Sequence, residues 1–264
     1  MNTYHGNLTE HAYLLIRDRI LRGELPFGTG LSRRALAEDF GISIVPVGDA
    51  LQRLENDGLV ESRPRVGTRV RIPTPKAIRG HYILREALES QAARIFAEKA
   101  SPNEREEIKQ LASQLDEHYT LLATTEGATE PAFQSHTLHM RFHMRIAECT
   151  GCDELCQAVE KNQVLVFNWL YDTSLGNQQQ PPPGWHRELA EALVSGDPEA
   201  ADAAMRRHTR FRMEEVLQRM EPYFSFTEAR LGVFPKRPRR RTAPKAATAR
   251  KSRKSLAAAL ESPK

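Results

Sequence analysis

The sequence has few cysteines and no long apolar run, and each absence excludes a class of protein. Cys149, Cys152 and Cys156 are an odd number within one short segment, which excludes the disulfide framework of a small secreted domain. A structural zinc site would need a fourth ligand nearby, so we expect buried, chemically idle thiols. No apolar run is long enough to cross a bilayer, and the N-terminal segment MNTYHGNLTEH lacks the order of a signal peptide. We therefore expect a cytoplasmic protein without a membrane partner.

Most of the chain carries no surplus of positive charge. The net charge is +4, but residues 236–264 hold eleven Lys and Arg against one acid, Glu261, so this segment carries +10 and the rest of the chain −6. The segment has almost nothing to bury, which predicts a disordered basic tail over residues 235–264. Its clusters RPRRR and ARKSRK resemble arms that bind the DNA minor groove or phosphates. The alternative is unspecific binding to any polyanion.

The N-terminal segment has the pattern of a helix-turn-helix. Residues 11–22 carry apolar side chains at helical spacing, and SRRALAEDF predicts a second, short helix capped by Ser32. A tight turn at Gly41 and a hydroxyl cap at Ser43 then predict a longer helix over residues 44–57.

A hairpin and a linker follow these helices. The segment LVESRPRVGTRVRI, residues 59–72, predicts two short strands around Pro64–Gly67, and PTP at residues 73–75 predicts a stiff linker. Three helices and a hairpin of this length predict a winged helix-turn-helix DNA-binding domain over residues 1–75.

From residue 76 onward the sequence shows only helical periodicity. We expect an effector-binding bundle of six or so antiparallel helices over residues 76–234, in which Asp197-Pro198 begins one helix. The fold class is therefore mainly α: a winged helix-turn-helix with a small β-hairpin wing, an all-α antiparallel helical bundle and a disordered basic tail. One apolar stripe of the bundle comprises Tyr82, Leu84, Leu88, Ala92 and Ile95.

The first domain resembles the GntR family of bacterial transcription regulators. The segments that carry the resemblance are GELPFGTGLSRRALAEDFGIS and PVGDALQRLENDGLVESRPRVGTRV, which cover nearly the whole domain. The helical domain looks like the ligand-sensing FCD domain of the FadR branch of that family. The resemblance implies a DNA-binding transcription regulator, commonly a repressor, that responds to a small molecule.

The resemblance also implies a metal site. In that sensing domain an Asp, a His four residues later and two His on later helices hold a divalent metal at the bottom of the effector pocket. Here HMRFHMRIAECTG places His139 at the Asp position and His143 at the first His, while GWHRELAEALVSGD and AAMRRHTR supply His186 and His208. The replacement at His139 removes the one anionic ligand.

The chemistry of four histidines agrees with a cation site. His139 and His143 are spaced i, i+4, so on one helix they face the same way. Imidazole suits zinc, nickel, copper or iron(II), of which we expect zinc or nickel, and four neutral ligands leave the full charge of the ion to attract an anionic effector. The alternative is a hydrogen-bonded polar cluster. The histidines expected at the surface are His11, His81, His118 and His136.

Arg85, in the run ILREALES, matches an arginine that points into the pocket in related sensing domains. In that position it would bind the carboxylate of an effector through two parallel hydrogen bonds. The alternative is a surface ion pair with Glu89 at i, i+4.

The predicted recognition helix departs from the family at two positions. The resemblance implies an arginine just after Ser43 and another just before the acidic residue, but this chain has Ile44 and Gly48, and neither can donate a hydrogen bond to guanine. Arg34 matches a third DNA-contacting arginine, and we expect Ile44 and Val47 to pack on thymine methyl groups. The residues expected at the DNA are Ser32, Arg33, Arg34, Ser43, Ile44, Val47, Arg53, Arg65 and Gly67.

These features favour a function other than catalysis. We expect a ligand-responsive regulator of a metabolic operon, most simply a repressor, that binds a two-fold double-stranded operator as a homodimer, senses a small organic acid and is associated with the nucleoid. One alternative is a nucleoid-type DNA binder that relies on its basic tail. A metal-dependent enzyme is less favoured, because four His would fill a tetrahedral zinc site and no Glu is placed as in H-E-x-x-H.

Overall fold

The computed structural model describes residues 2–123, 129–172 and 181–229. Across these ranges the chain forms ten helices and one three-stranded sheet. The tail at residues 235–264 lies outside the described residues, so its disorder stays a prediction. No helix within the described ranges has the length and apolar character needed to span a bilayer.

Three helices form the helix-turn-helix. The hydroxyl of Ser32 accepts a hydrogen bond from the N–H of Ala35 at 3.3 Å and caps the second helix, as predicted. Gly41 ends that helix in the left-handed region at φ 67°, which favours glycine. Ser43 precedes the third helix, but its hydroxyl makes no capping hydrogen bond, so the predicted hydroxyl cap is wrong. The helices are α1 (Asn2–Leu21), α2 (Arg33–Phe40) and α3 (Ile44–Asn56).

A three-stranded antiparallel sheet forms the wing. The predicted hairpin is present, with Glu61 opposite Arg69 and Ser62 opposite Thr68. A further short strand pairs with the hairpin, and the sequence does not predict it because two residues are too few to show an alternating pattern. The strands are β1 (Gly30–Leu31), β2 (Val60–Arg63) and β3 (Gly67–Val70), in the order β1-β3-β2.

Seven described helices follow the wing. Thr74 accepts a hydrogen bond from the N–H of Ala77 at 3.1 Å, and Pro75 occupies the first helical turn, so the first of these helices begins within the predicted linker. Asp197 caps the helix that it was predicted to begin. The helices are α4 (Pro75–Lys99), α5 (Pro102–Ala123), α6 (Thr129–Glu148), α7 (Asp153–Asp172), α8 (Trp185–Val194), α9 (Pro198–Arg210) and α10 (Met213–Ala229).

Two apolar cores organise the described residues. One lies within the helical domain, between α4, α5, α6, α7, α8 and α9. The other is shared by both domains, since it contains Leu51 and Leu54 of α3 together with Leu165 of α7 and Val216 of α10. The winged domain therefore packs against α7 and α10.

The buried face of α4 differs from the predicted stripe. Tyr82 and Ala92 are buried as expected, but Leu84 is 45% exposed. The face turned to the interior carries Arg85 and Glu89 instead, both almost fully buried. A charged pair on a long helix is thereby placed inside the helical domain.

His136 and the cysteines also depart from their predicted environments. His136, expected at the surface, is 3% exposed and meets the ring of Phe167 edge-on at 5.7 Å between centroids. The cysteines are partly exposed, contrary to the predicted burial, and are free thiols. Burial of its sulfur raises the pKa of Cys149 to about 12, which keeps this thiol protonated and unreactive.

Candidate DNA-binding face and histidine site

The outward face of α3 begins with apolar side chains. Ile44 and Val45 are 47% and 62% exposed. Val47, predicted to contact thymine methyl groups, is fully buried, so that prediction is wrong. Its position relative to Leu51 and Leu54, i+4 and i+7, places it on the helix face that packs into the core. Ile44 is left as the candidate for apolar contact with bases.

The arginines near α3 differ in whether they are neutralised. Arg53 forms an ion pair with Glu10, and its guanidinium lies 3.9 Å from the centroid of the Tyr13 ring. DNA would have to displace Glu10 to bind it. Arg33 and Arg34 are exposed at the start of α2, and neither has an ion-pair partner among the described residues.

The wing and the helix starts supply the remaining candidates. Arg65 and Gly67, at the tip of the hairpin, are exposed with φ of 64° and 107°. Ser32 and Ser43 are exposed at the N-termini of α2 and α3, where N–H groups favour a phosphate. An open groove of about 700 Å³ separates the wing from α2, and the arginines that line it are Arg33, Arg63 and Arg65.

Three helices bring the four predicted histidines together. His139 and His143 lie on α6, His186 on α8 and His208 on α9. The Nε2 atom of His139 lies 3.1 Å from those of His143 and His208, and these two lie 3.2 Å apart. The ring centroid of His186 is 5.2 Å from those of His139 and His208. We call these four residues the histidine cluster.

Two buried carboxylates lie against two rings of the cluster. Oε2 of Glu89 lies 2.7 Å from Nδ1 of His143, at ion-pair distance, and Oδ1 of Asp116 lies 2.8 Å from Nδ1 of His186. A ring proton on Nδ1 facing each carboxylate leaves the Nε2 lone pair as the metal-binding atom. Neither carboxylate was predicted as part of the site. The sequence suggested Glu89 only as an ion-pair partner of Arg85, and no sequence spacing relates Asp116 to a histidine.

Arg85 forms the ion pair considered from the sequence and also lies beside the histidine cluster. Its Nε lies 3.0 Å from Oε1 of Glu89, and its Nη2 lies 3.3 Å from Nε2 of His143. The ion pair with Glu89 exists, but it is buried rather than at the surface. The side-chain amide of Gln163, on α7, also donates a hydrogen bond to Oε1 of Glu89.

Burial keeps His139, His143 and His208 neutral. Burial, reinforced by the neighbouring histidines, lowers the pKa of His139 and His208 well below the usual value. It also lowers the pKa of His143, although Glu89 opposes the shift. Burial disfavours ionised Glu89, but Arg85 and His143 outweigh it and hold the pKa of this carboxyl at about 2. Neutral imidazole beside an ionised carboxylate is the state in which histidine binds a metal.

The spacing of the Nε2 atoms suits a cation better than hydrogen bonds alone. Three mutual hydrogen bonds would need a proton on each of the three Nε2 atoms, but that of His143 carries none when Nδ1 is protonated toward Glu89. At least one contact would then lack a hydrogen bond. Nitrogens bound to one ion at about 2.0–2.1 Å and roughly 90–109° would be about 2.8–3.4 Å apart, which covers the observed spacing. These residues could therefore hold a metal ion.

A small cavity adjoins the histidine cluster. Its volume is about 30 Å³, and its wall includes Arg85, Tyr119, His139, Trp185 and His208. This is room for about two water molecules, or for a group of similar size such as a carboxylate. A small anion that entered would contact the guanidinium and the cluster together.

A winged helix-turn-helix packed on a helical domain with a buried histidine cluster is the architecture of a two-domain DNA-binding protein. Residues 8–70 match the model for bacterial regulatory proteins of the gntR family, and residues 81–211 match the FCD domain model. The chain belongs to the GntR family of transcription regulators and carries an FCD domain.

Curated relatives match most of the chain. A protein of Paenarthrobacter nicotinovorans named "Probable D-xylose utilization operon transcriptional repressor" is 29% identical over 189 residues, which are 72% of this chain and 80% of the relative. The HTH-type transcriptional repressor RspR of Escherichia coli K12 is 23% identical over 215 residues, 80% of this chain and 90% of the relative.

Solved structures share the fold. A GntR regulator from Rhodococcus sp. RHA1 superposes with a TM-score of 0.65 at 22% identity and covers 80% of this chain and 97% of its own. Escherichia coli McbR/YncC superposes with a TM-score of 0.64 at 21% identity, with the same coverage of both chains.

Proposed function

We propose that this transcription regulator is a ligand-responsive repressor of a metabolic operon that senses a small organic acid at the histidine cluster. The proposal depends on one observation: histidine nitrogens, a buried arginine and a cavity lie next to one another inside the helical domain. Repression is supported by the names of two relatives, one of which refers to a sugar utilization operon.

A divalent cation, zinc or nickel, is the ion that His139, His143, His186 and His208 would hold. When bound, it would supply positive charge and a site for an oxygen ligand. The charges around the cluster are already balanced, since Arg85 pairs with Glu89 and Arg187 with Asp116. Four neutral histidines would leave both charges of the ion uncompensated, and this favours an anionic effector.

The contacts of Arg85 suggest how effector binding would affect the DNA-binding domain. A carboxylate in the cavity would engage Arg85, which pairs with Glu89, and Glu89 also accepts a hydrogen bond from Gln163 of α7. On the same helix Leu165 lies beside Gly58, at the end of α3. An effector would shift the population between two arrangements of the winged domains, by no more than the difference in its affinity for them.

The DNA partner that we propose is a two-fold double-stranded operator bound by a homodimer. Ile83 and Leu84 of α4, 70% and 45% exposed, offer an apolar surface for the second protomer. Two-fold symmetry would place the half-sites about one DNA turn or less apart. We propose no enzymatic activity, because the two buried carboxylates at the cluster, Glu89 and Asp116, are both engaged by histidine rings.

A genomic footprint followed by operator binding tests this function. The wild-type protein is expected to protect discrete two-fold sites, and the Arg34→Ala variant is expected to lose this protection. Arg94→Ala, which removes an arginine paired with Glu199 on the helical domain, serves as the control. With zinc present, small carboxylic acids are then titrated against the operator complex. At least one acid should change affinity about fivefold or more, and its amide should not. An operator that no acid affects would reject sensing, and absence of any preferred site would reject the whole proposal.

A further inference from the structure

The outward face of α3 lacks a free guanidinium of its own. Its only basic residue is Arg53, and that side chain pairs with Glu10 and stacks on Tyr13. The apolar residue Ile44 opens the face, and Gly48 follows one turn later, partly exposed. A guanidinium on this face must therefore come from another element.

Arg33, on α2, reaches this position. A Cβ built on Gly48 would lie 3.8 Å from Nη1, 3.9 Å from Cδ and 4.0 Å from Cζ of Arg33. The guanidinium thus lies over the backbone of α3 where a side chain at position 48 would otherwise project. A methyl group there makes an ordinary contact, whereas a longer side chain would occupy the space of the guanidinium.

The charge of Arg33 is available to a ligand. The residue is exposed and has no ion-pair partner among the described residues, whereas Glu61 neutralises Arg69 in the nearby wing. Arg33 also lines the groove that separates α2 from the wing, together with Arg63 and Arg65. The groove is open to solvent, and Glu55 also lines it.

We propose that Arg33 reads a guanine of the operator from above Gly48. A guanidinium that rests on the helix facing the major groove can donate two parallel hydrogen bonds to O6 and N7 of guanine, the pattern by which arginine selects that base. The glycine makes this possible because it leaves room for a side chain from the neighbouring helix. The inference rests on the proposed operator binding and specifies one base contact within it.

Selection from a randomised duplex library with the full-length protein tests the inference. The wild type is expected to select a two-fold site with one required G·C pair in each half that Arg33→Ala no longer requires. At that pair, discrimination between guanine and the other bases should fall about 5- to 150-fold, with the other positions unchanged. Gly48→Gln, which crowds the guanidinium, should lose the same position, and Gly48→Ala, which does not, should keep it.

The outcomes separate this inference from the function on which it rests. If the wild type selects no site, operator binding itself fails. If Arg33→Ala keeps every position of the site, Arg33 reads no base. If Arg33→Ala weakens binding to all duplexes equally and reduces the magnitude of the slope of log K against log salt by about 0.9, Arg33 contacts a phosphate, and base reading is overturned. Arg94→Ala controls for the loss of an arginine.

Discussion

Two apolar residues in the first turn of α3 have opposite roles because the edge of the buried face of the helix falls between them. Val47 is fully buried, whereas Ile44 is 47% exposed. We expect Val47→Ala to lower the free energy of unfolding by on the order of 1–3 kcal/mol, through reduced burial and a cavity. Ile44→Ala should change that free energy by less than about 0.5 kcal/mol and instead weaken binding to operators with thymine at the contact. Urea denaturation and operator titration check the two.

His136 is a buried base that makes stability depend on pH. Burial lowers its pKa to about 3, and Arg212 adds to the shift, so the folded protein keeps this imidazole neutral where the unfolded chain protonates it. The unfolded state then binds more protons below the ordinary pKa of histidine, about 6.5, and the folded state loses stability as the pH falls from that value toward 3.

The variant His136→Leu should remove this contribution. Relative to wild type, its free energy of unfolding should fall less steeply with acid, by up to about 1.4 kcal/mol per pH unit between pH 6 and pH 4. Urea denaturation of metal-free protein across that range measures the two slopes. His11→Leu, which removes an imidazole from an exposed position, is the control; parallel curves for wild type and His136→Leu would contradict the assignment.

At the scale of elements, the histidine cluster depends on α4 and α5 as well as on the helices that carry the histidines. We expect His208→Ala to lower zinc affinity by removing a ligand. Glu89→Gln should lower it about 10- to 100-fold by loosening the ring of His143, because carboxylates behind histidine ligands orient them. Equilibrium dialysis with zinc, read by mass spectrometry, measures both. His118→Ala, on α5 but outside the cluster, controls for loss of a histidine, and equal zinc content in all variants would reject the metal site.

The sequence predicts elements better than it predicts partners across elements. The histidines were predicted together because one pair is spaced i, i+4 and the others matched family segments, and the described structure brings all four into one cluster. Asp116 escaped prediction because its distance from His186 is set by how α5 packs on α8. Strand β1 is too short for a pattern, and the buried pair on α4 is hidden because charged residues usually indicate a solvent-facing side.

At the scale of the whole molecule, α7 contacts both the histidine cluster and the winged domain. Its Gln163 binds Glu89 beside the histidine cluster, while Leu165 packs near Gly58 and Lys161 donates to the carbonyl of Asn56 at 3.1 Å. One helix thus contacts the candidate effector site and the end of α3. A ligand that altered the position of Glu89 would change the packing beneath the winged domain without needing a long flexible connection.

The charge distribution of the chain gives a last prediction, for deletion of residues 236–264. The rest of the chain carries −6, so the tail supplies the net attraction to DNA, while the exposed groups around α3 supply the proposed sequence preference. Deletion should weaken binding to every duplex and make the dependence of log K on log salt shallower, by about 0.9 for each phosphate that the tail neutralises in the full-length protein. The ratio of operator to scrambled-duplex affinity should stay within about threefold of the wild type. Loss of that preference with the tail would instead favour a nucleoid-type binder, in which the winged domain reads no sequence.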